Sequence, residues 1–111
     1  MANERNAKIV PFGIPMKILQ QNEIELIGNW ELCDGNVVAD KVTERINWLV
    51  NDVLQKICDS PTEGAWESLF QDPTDGRYWE QVFPNSSMHG GGPPTLQYIS
   101  ELEAKKKYDI P

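Results

Sequence analysis

The chain has 111 residues, of which 40% are hydrophobic, 9% aromatic and 24% charged, and these values predict one folded domain and exclude a disordered tail. The formal net charge of −7 disfavours direct binding to nucleic acid, because phosphates would be repelled. No apolar run approaches the ~18 residues of a membrane span, and the first residues lack the long apolar stretch of a signal peptide. We therefore expect a cytoplasmic protein that does not enter membranes.

The distribution of charge indicates the kind of partner, and the cysteines indicate whether a zinc site or a disulfide framework is present. Thirteen of the 17 acidic residues lie between residues 23 and 88, against four basic ones in the same range. An acidic middle of this kind favours a basic partner or serves solubility. Cys33 and Cys58 are too few and too far apart for a zinc site or a disulfide framework, and we expect reduced thiols.

Residues 1–22 are predicted to form an N-terminal arm that precedes a single domain spanning residues 23–111. Pro11 and Pro15 break any helix in the arm, and residues 9–19 around them are mostly apolar. The sequence leaves open whether this apolar segment docks on this chain or on another one.

The first half of the domain combines strands with one helix. Residues 23–33 alternate as a strand in which Gly28 marks a bulge or a close approach, and the turn formers Asp34 and Gly35 lead into a short return strand at residues 36–38. Asp40 is a helix N-cap, and apolar residues at helical spacing predict one long helix that runs to about Cys58.

The second half predicts an antiparallel sheet. Residues 65–71 and 77–83 form two strands around a turn with Pro73, Asp75 and Gly76, and residues 95–99 form the next strand. Ser100 and Glu103 form a capping box that opens a short C-terminal helix. The predicted fold is α+β, with an antiparallel sheet of about four to five strands, one long helix packed on one face and a short C-terminal helix.

The most unusual segment is the loop in which His89 precedes three glycines and two prolines. An imidazole beside glycine N–H groups suggests a hydrolase or a ligand-binding domain, but the nucleophile elbow and the phosphate-loop flanks are absent. One histidine and two distant cysteines form no metal set, so we expect no cofactor and no catalytic residue. The alternatives are a structural crossover, in which His89 binds backbone groups, and a recognition loop.

Four tryptophans and a group of acids remain to be assigned. The tryptophans are expected mainly in or around the core, with Trp66 and Trp79 facing each other across the hairpin. The acids near the hairpin form either a solvated face or an acidic patch for a basic partner. The candidate partner-binding residues are Asp72, Asp75, Arg77, Trp79, Glu80 and His89.

Together these residues resemble Imm27, a family of immunity proteins from bacterial polymorphic toxin systems. The similar stretches are Leu26-Ile-Gly-Asn-Trp30, Asp34-Gly35, Val37-Val38-Ala39-Asp40, Arg45-Ile-Asn-Trp48-Leu49, Trp66-Glu67, Asp72-Pro-Thr-Asp-Gly-Arg-Tyr-Trp-Glu80, His89-Gly-Gly-Gly-Pro-Pro94 and Leu96. The combination of tyrosine, tryptophan and glycine loop is more specific than either part alone. The similarity covers residues 26–108 approximately and leaves the segment before Met16 outside.

The resemblance implies a small α+β protein that binds and neutralises a cognate toxin domain and has no catalytic residues. The motif positions expected to serve the fold are Trp30, Trp48, Trp66, Tyr78, Gly90, Gly91, Gly92, Pro93 and Pro94. The acidic middle favours a toxin with a cationic cleft, such as a nuclease. Charge reversal at Asp72, Asp75 and Glu80 is then expected to reduce binding and leave the fold intact.

Two alternatives stay open beside this hypothesis. One is a small intracellular hydrolase or ligand-binding domain that uses the His89 loop. The other is an accessory subunit whose apolar arm docks on another chain. We expect the free chain to be a monomer.

Overall fold

The computed structural model describes residues 16–86 and 92–111. The elements in chain order are β1 (Glu25–Ile27), β2 (Trp30–Cys33), β3 (Asn36–Ala39), α1 (Lys41–Trp48), a π-helical segment (Leu49–Val53), β4 (Gln55–Ser60), β5 (Gly64–Gln71), β6 (Tyr78–Val82), β7 (Thr95–Ile99) and α2 (Glu101–Tyr108). Five strands form an antiparallel sheet in the order β1-β7-β6-β5-β4, and β2 and β3 form a separate two-stranded sheet. This confirms the predicted α+β class and the antiparallel sheet.

The pairing of β5 with β6 places buried side chains on both faces of the sheet. Phe70 lies opposite Trp79 on one face, while their neighbours Leu69 and Glu80 are paired on the other. Since side chains alternate along a strand, each face needs its own cover. One apolar core therefore lies on each side of the sheet.

The two cores are covered by different helices. The first core combines the α1 region with one face of the sheet and consists of Leu19, Leu26, Ile46, Leu49, Leu54, Phe70, Trp79 and Leu96. The second core lies under α2 and consists of Leu69, Ile99, Ala104 and Tyr108. The C-terminal helix thus closes the face of the sheet that α1 leaves open.

Both helices begin at the predicted caps. The Asp40 side chain accepts a hydrogen bond from the Thr43 N–H at 2.8 Å, and Ser100 with Glu103 forms the complete capping box. These bonds satisfy N–H groups that have no partner inside the first turn of a helix.

The predicted long helix is shorter than expected, and its predicted end at Cys58 is wrong. Eight α-helical residues are followed by five in π-helical geometry. Leu54 then adopts an extended conformation, and its N–H donates to the Leu49 carbonyl at 2.7 Å. The chain then continues as β4. Its register shifts between Lys56 and Cys58, and Ile57 and Cys58 both pack against the second core. This bulge removes the period of two that would have identified a strand.

The single strand predicted over residues 23–33 is also wrong, because β1 and β2 belong to different sheets. Between them, the Gly28 N–H donates to the Pro94 carbonyl at 2.9 Å. A Cβ atom at Gly28 would collide with Thr43 Oγ1 and lie 2.7 Å from the Pro94 oxygen. Gly28 is therefore the close approach that its position in the strand pattern suggested, and the chain leaves the large sheet there.

The last part of the predicted arm lies against the domain, since Leu19 is buried in the first core. Residues 1–15 lie outside the described residues, and the boundary at residue 22 stays a prediction. Within the described ranges, no helix is long and apolar enough to cross a membrane.

Candidate functional site

The turn between β5 and β6 contains two of the predicted partner-binding acids. Asp72 is fully buried, and its Oδ1 atom accepts from the N–H and the hydroxyl of Thr74 at 2.9 and 2.7 Å. Asp75 is exposed and accepts from the N–H and the Nε of Arg77 at 3.0 and 2.7 Å. Asp72 therefore shapes the turn from inside, and only Asp75 reaches the surface.

Arg77, a third predicted partner-binding residue, uses its guanidinium within the chain. Its Nη1 and Nη2 atoms donate to the carbonyl oxygens of Glu23 and Gln20, both at 3.0 Å. The same group lies 4.9 Å from the ring centroid of Trp79. Arg77 thus holds the segment before β1 against the edge of the first core.

A second arginine, which the sequence analysis did not single out, holds the same segment from the helix. Arg45 on α1 donates to the carbonyl oxygens of Lys17 and Ile18 at 2.9 and 3.0 Å. Its two terminal nitrogens also bind the two carboxylate oxygens of Glu23, each at 2.8 Å. Bidentate pairs of this kind are strong and geometrically specific. The hydrogen bond from Arg45 is the main reason that the pKa of Glu23 falls from 4.5 to about 2.

We expect Glu23→Gln to lower the free energy of unfolding by about 1–3 kcal/mol at pH 7, because it breaks this partly exposed pair. The folded pKa of Glu23 lies below its ordinary value, so its contribution is complete above about pH 4.5 and is lost as the pH falls toward 2. Urea unfolding should therefore show a cost about half as large at pH 3 as at pH 7. Glu25→Gln, at an exposed position on β1, controls for the lost charge. An equal loss of unfolding free energy at both pH values would contradict the lowered pKa of Glu23 in the folded state.

Glu80 and Trp79 are buried on opposite faces of the sheet. The Oε1 atom of Glu80 accepts from Gln97 Nε2, and the Oε2 atom accepts from Lys107 Nζ and the Tyr108 hydroxyl, all at 2.8 Å. Burial raises the pKa of the Glu80 carboxyl, but hydrogen bonds from Lys107, Gln97 and Tyr108 lower it more, so the net pKa is below the usual value. Glu80 therefore ties α2 to β6. This link between residues far apart in the chain had no signal in the local sequence pattern.

A groove of about 540 Å³ runs beside this cluster, between α2 and the strands. It is lined by Glu80, Gln97, Tyr98, Ile99, Glu103, Lys106 and Lys107. Both oxygens of Glu80 already have partners inside the chain, so this carboxylate is not a free acceptor in the groove. In the described part of the chain, no group of three or more His, Cys, Asp or Glu side chains could hold a metal ion.

The glycine-rich loop is described only at its end, since residues 87–91 with His89, Gly90 and Gly91 lie outside the described residues. The described end, Gly92, Pro93 and Pro94, is buried. Gly92 has a φ of +73°, and an added Cβ would lie 2.7 Å from the Asn85 carbonyl oxygen. Gly92 therefore serves the fold, and the roles considered for His89 stay predictions.

The tryptophans divide between core and surface. Trp79 is fully buried, whereas Trp66 is 49% exposed and packs edge-on against Phe83 with ring centroids 5.6 Å apart. The predicted contact between Trp66 and Trp79 is wrong, because the register places Phe70 opposite Trp79. Trp48 is half-buried against the first core. A partner that contacts the protein from outside reaches Trp66 and not Trp79.

Two further motif residues, Trp30 and Tyr78, are half-buried. Tyr78 packs against the second core, on the face of β6 that α2 covers. Trp30 begins β2 and lies opposite Ala39 in the small sheet. Tyr78 thus supports the domain, while Trp30 stands at the base of the hairpin.

The β2–β3 hairpin, predicted from sequence as the end of a longer strand followed by a turn and a short return strand, is an exposed element that carries apolar side chains. Every residue from 31 to 38 is exposed. Leu32 and Val37 lie directly opposite each other and are 76% and 65% exposed. Asp34 in the turn and Glu31, which is paired with Val38 on the other face, add two negative charges to the same hairpin.

Comparison with known proteins gives one match. A family model described as Imm27, Immunity protein 27, matches residues 32–100, which is more than half of the chain. The matched range runs from the β2–β3 hairpin to the residue before α2, and it includes Arg45 and Arg77. No curated protein and no solved structure matches the chain.

Proposed function

The chain belongs to the Imm27 family and is an immunity protein, and from this premise we propose that it neutralises a cognate bacterial toxin domain by binding it stoichiometrically. The family match is the observation that carries the proposal. The protein acts in the cytoplasm as a monomer when free, without catalysing a reaction. The partner is the C-terminal domain of the polymorphic toxin encoded beside this chain.

The charge of the chain supports a partner with a basic surface. The net charge is −7, and several acids are exposed on the described surface, among them Glu25, Glu31, Asp34 and Asp52. A toxin that cleaves nucleic acid needs a cationic cleft for phosphates, and such a cleft is complementary to this surface. We therefore favour a nuclease-like toxin.

The predicted contact residues contribute unequally to this proposal. Asp75 is exposed and stays a candidate for direct contact, as does His89. The other four are fixed by contacts inside the chain, and we assign them to stability: Asp72, Arg77, Trp79 and Glu80.

The test uses the purified toxin domain and this chain, with association followed at about 50 and 500 mM NaCl. We expect a complex whose association rate falls by about tenfold or more at high salt, while the dissociation rate changes little. An association rate that does not depend on the salt concentration would contradict the proposal that the toxin has a basic cleft. The absence of any complex at low salt would refute the proposed function itself.

A further inference from the structure

The exposed hairpin has the properties of a surface that a partner covers. Its two strands pair only with each other in the described part of the chain. An isolated two-stranded hairpin is marginal in water, and large aliphatic side chains add to that instability when they stay exposed. Leu32 and Val37 form such a pair on one face, and neither side chain is part of the two cores.

The backbone of the same pair is also available. Asp34 and Gly35, both with positive φ, form a two-residue turn, so Cys33 and Asn36 are the hydrogen-bonded pair that closes the hairpin. The next pair, Leu32 and Val37, is then a non-hydrogen-bonded one, whose N–H and C=O groups point outward along the two edges. Side chains and backbone groups of this pair are therefore presented together.

The base of the hairpin is held firmly. The Asp40 N–H donates to the Asn29 carbonyl at 3.0 Å, and the Asn29 N–H donates to Thr43 Oγ1 at 3.0 Å and to Asp40 Oδ1 at 3.2 Å. Thr43 is buried on α1, so these bonds fix the hairpin to the helix. A surface fixed in this way loses little conformational entropy when it binds.

We propose that the β2–β3 hairpin is the toxin-binding surface, a proposal that rests on the function proposed above. The occupant is a segment of the toxin domain whose apolar side chains cover Leu32 and Val37 and whose lysine or arginine side chain faces Asp34 in the turn. Charge favours the toxin over a second copy of this chain as the occupant. Two copies, each with a net charge of −7, repel each other, and that repulsion disfavours a dimer.

The experiment compares Leu32→Ser with Leu102→Ser in binding to the purified toxin domain. Leu102 is the matched control, since it lies on α2 and is 78% exposed, against 76% for Leu32. We expect Leu32→Ser to weaken the complex about tenfold or more and Leu102→Ser to change it less than about threefold. Val37→Ser should reproduce the effect of Leu32→Ser, and unchanged urea midpoints confirm that both variants fold.

The outcomes separate the two proposals. A toxin domain that binds the wild type and both leucine variants equally would overturn the hairpin assignment and leave the proposed function standing. A toxin domain that does not bind the wild type would overturn both. A free chain that sediments as a dimer and becomes a monomer on Leu32→Ser would place a second copy on the hairpin. Tighter toxin binding after removal of residues 1–15, lost again with Leu32→Ser, would place that segment there in the free chain and so support the surface.

Discussion

Glu80→Lys should lower the free energy of unfolding by about 3–5 kcal/mol, the range for breaking a buried charged pair. Glu80 is only 5% exposed, and its carboxylate accepts hydrogen bonds from Gln97, Lys107 and Tyr108. A lysine at this position removes all three bonds and brings a second ammonium group close to Lys107. Since a small domain is stable by about 5–15 kcal/mol in total, this loss is a large fraction of its stability.

Asp75→Lys is the matched control for that charge reversal. It lies in the neighbouring turn, its side chain pairs with Arg77, and that side chain is 25% exposed, against 7% for the side chain of Glu80. We expect urea unfolding to show a change of about 1 kcal/mol or less for Asp75→Lys. If Glu80→Lys were as stable as the wild type, the link between α2 and the sheet would not carry the stability assigned to it.

The same comparison changes how charge reversal can be used to map binding. Asp72 and Glu80 are buried, so reversing their charges is expected to damage the fold before it affects any contact with a toxin. A loss of protection by such variants would then report on stability. Asp75→Lys and Glu31→Lys, both on exposed side chains, are the informative charge reversals.

Trp79→Ala should lower the free energy of unfolding by about 3–5 kcal/mol, because it removes the largest fully buried side chain from the first core. The indole packs edge-on against Tyr98 with ring centroids 6.3 Å apart, and the Arg77 guanidinium lies over it. The variant leaves a cavity between the sheet and α1 that the rigid β6 and β7 strands cannot close.

Trp66→Ala, on β5 beside β6, is the control for Trp79→Ala. Trp66 is about half exposed and contacts Phe83 at the surface, so we expect a loss of about 1 kcal/mol or less. Thermal and urea unfolding of the two variants measure the difference directly. Equal losses would mean that the register of β5 and β6 differs from the one described.

Local signals in the sequence were enough for the caps, the turns and most of the large sheet. Asp40, Asp34-Gly35 and the pair Ser100 and Glu103 each act within four residues, so their physics is visible in a short window. The strands predicted at residues 65–71 and 95–99 are also present, although both bury residues on consecutive positions because the sheet has a core on each face.

The errors arose where tertiary contacts override a local pattern. The apolar spacing up to Ile57 fits a helix, but the chain turns at Leu54 because β4 completes the sheet beside β5. The strand over residues 23–33 divides because Gly28 meets Pro94, which is distant in sequence. Nothing in the sequence around Lys107 indicates that its ammonium group reaches Glu80.

The surface was the part least predictable from sequence. Composition marks acids and tryptophans as candidates for recognition, yet it does not tell which of them a helix or a turn will cover. Asp72, Trp79 and Glu80 became internal contacts, whereas Leu32 and Val37, which resemble ordinary strand residues, stayed exposed. Exposure depends on the packing of the whole chain, which the local sequence pattern does not determine.

The most direct measurement is a titration of the toxin domain's activity with this chain. If neutralisation is stoichiometric, activity falls linearly and reaches zero at about one equivalent when both concentrations are well above the dissociation constant. Complete loss of activity at a small fraction of one equivalent, with the toxin chemically altered, would show that the chain acts as a catalyst and would contradict the proposed function.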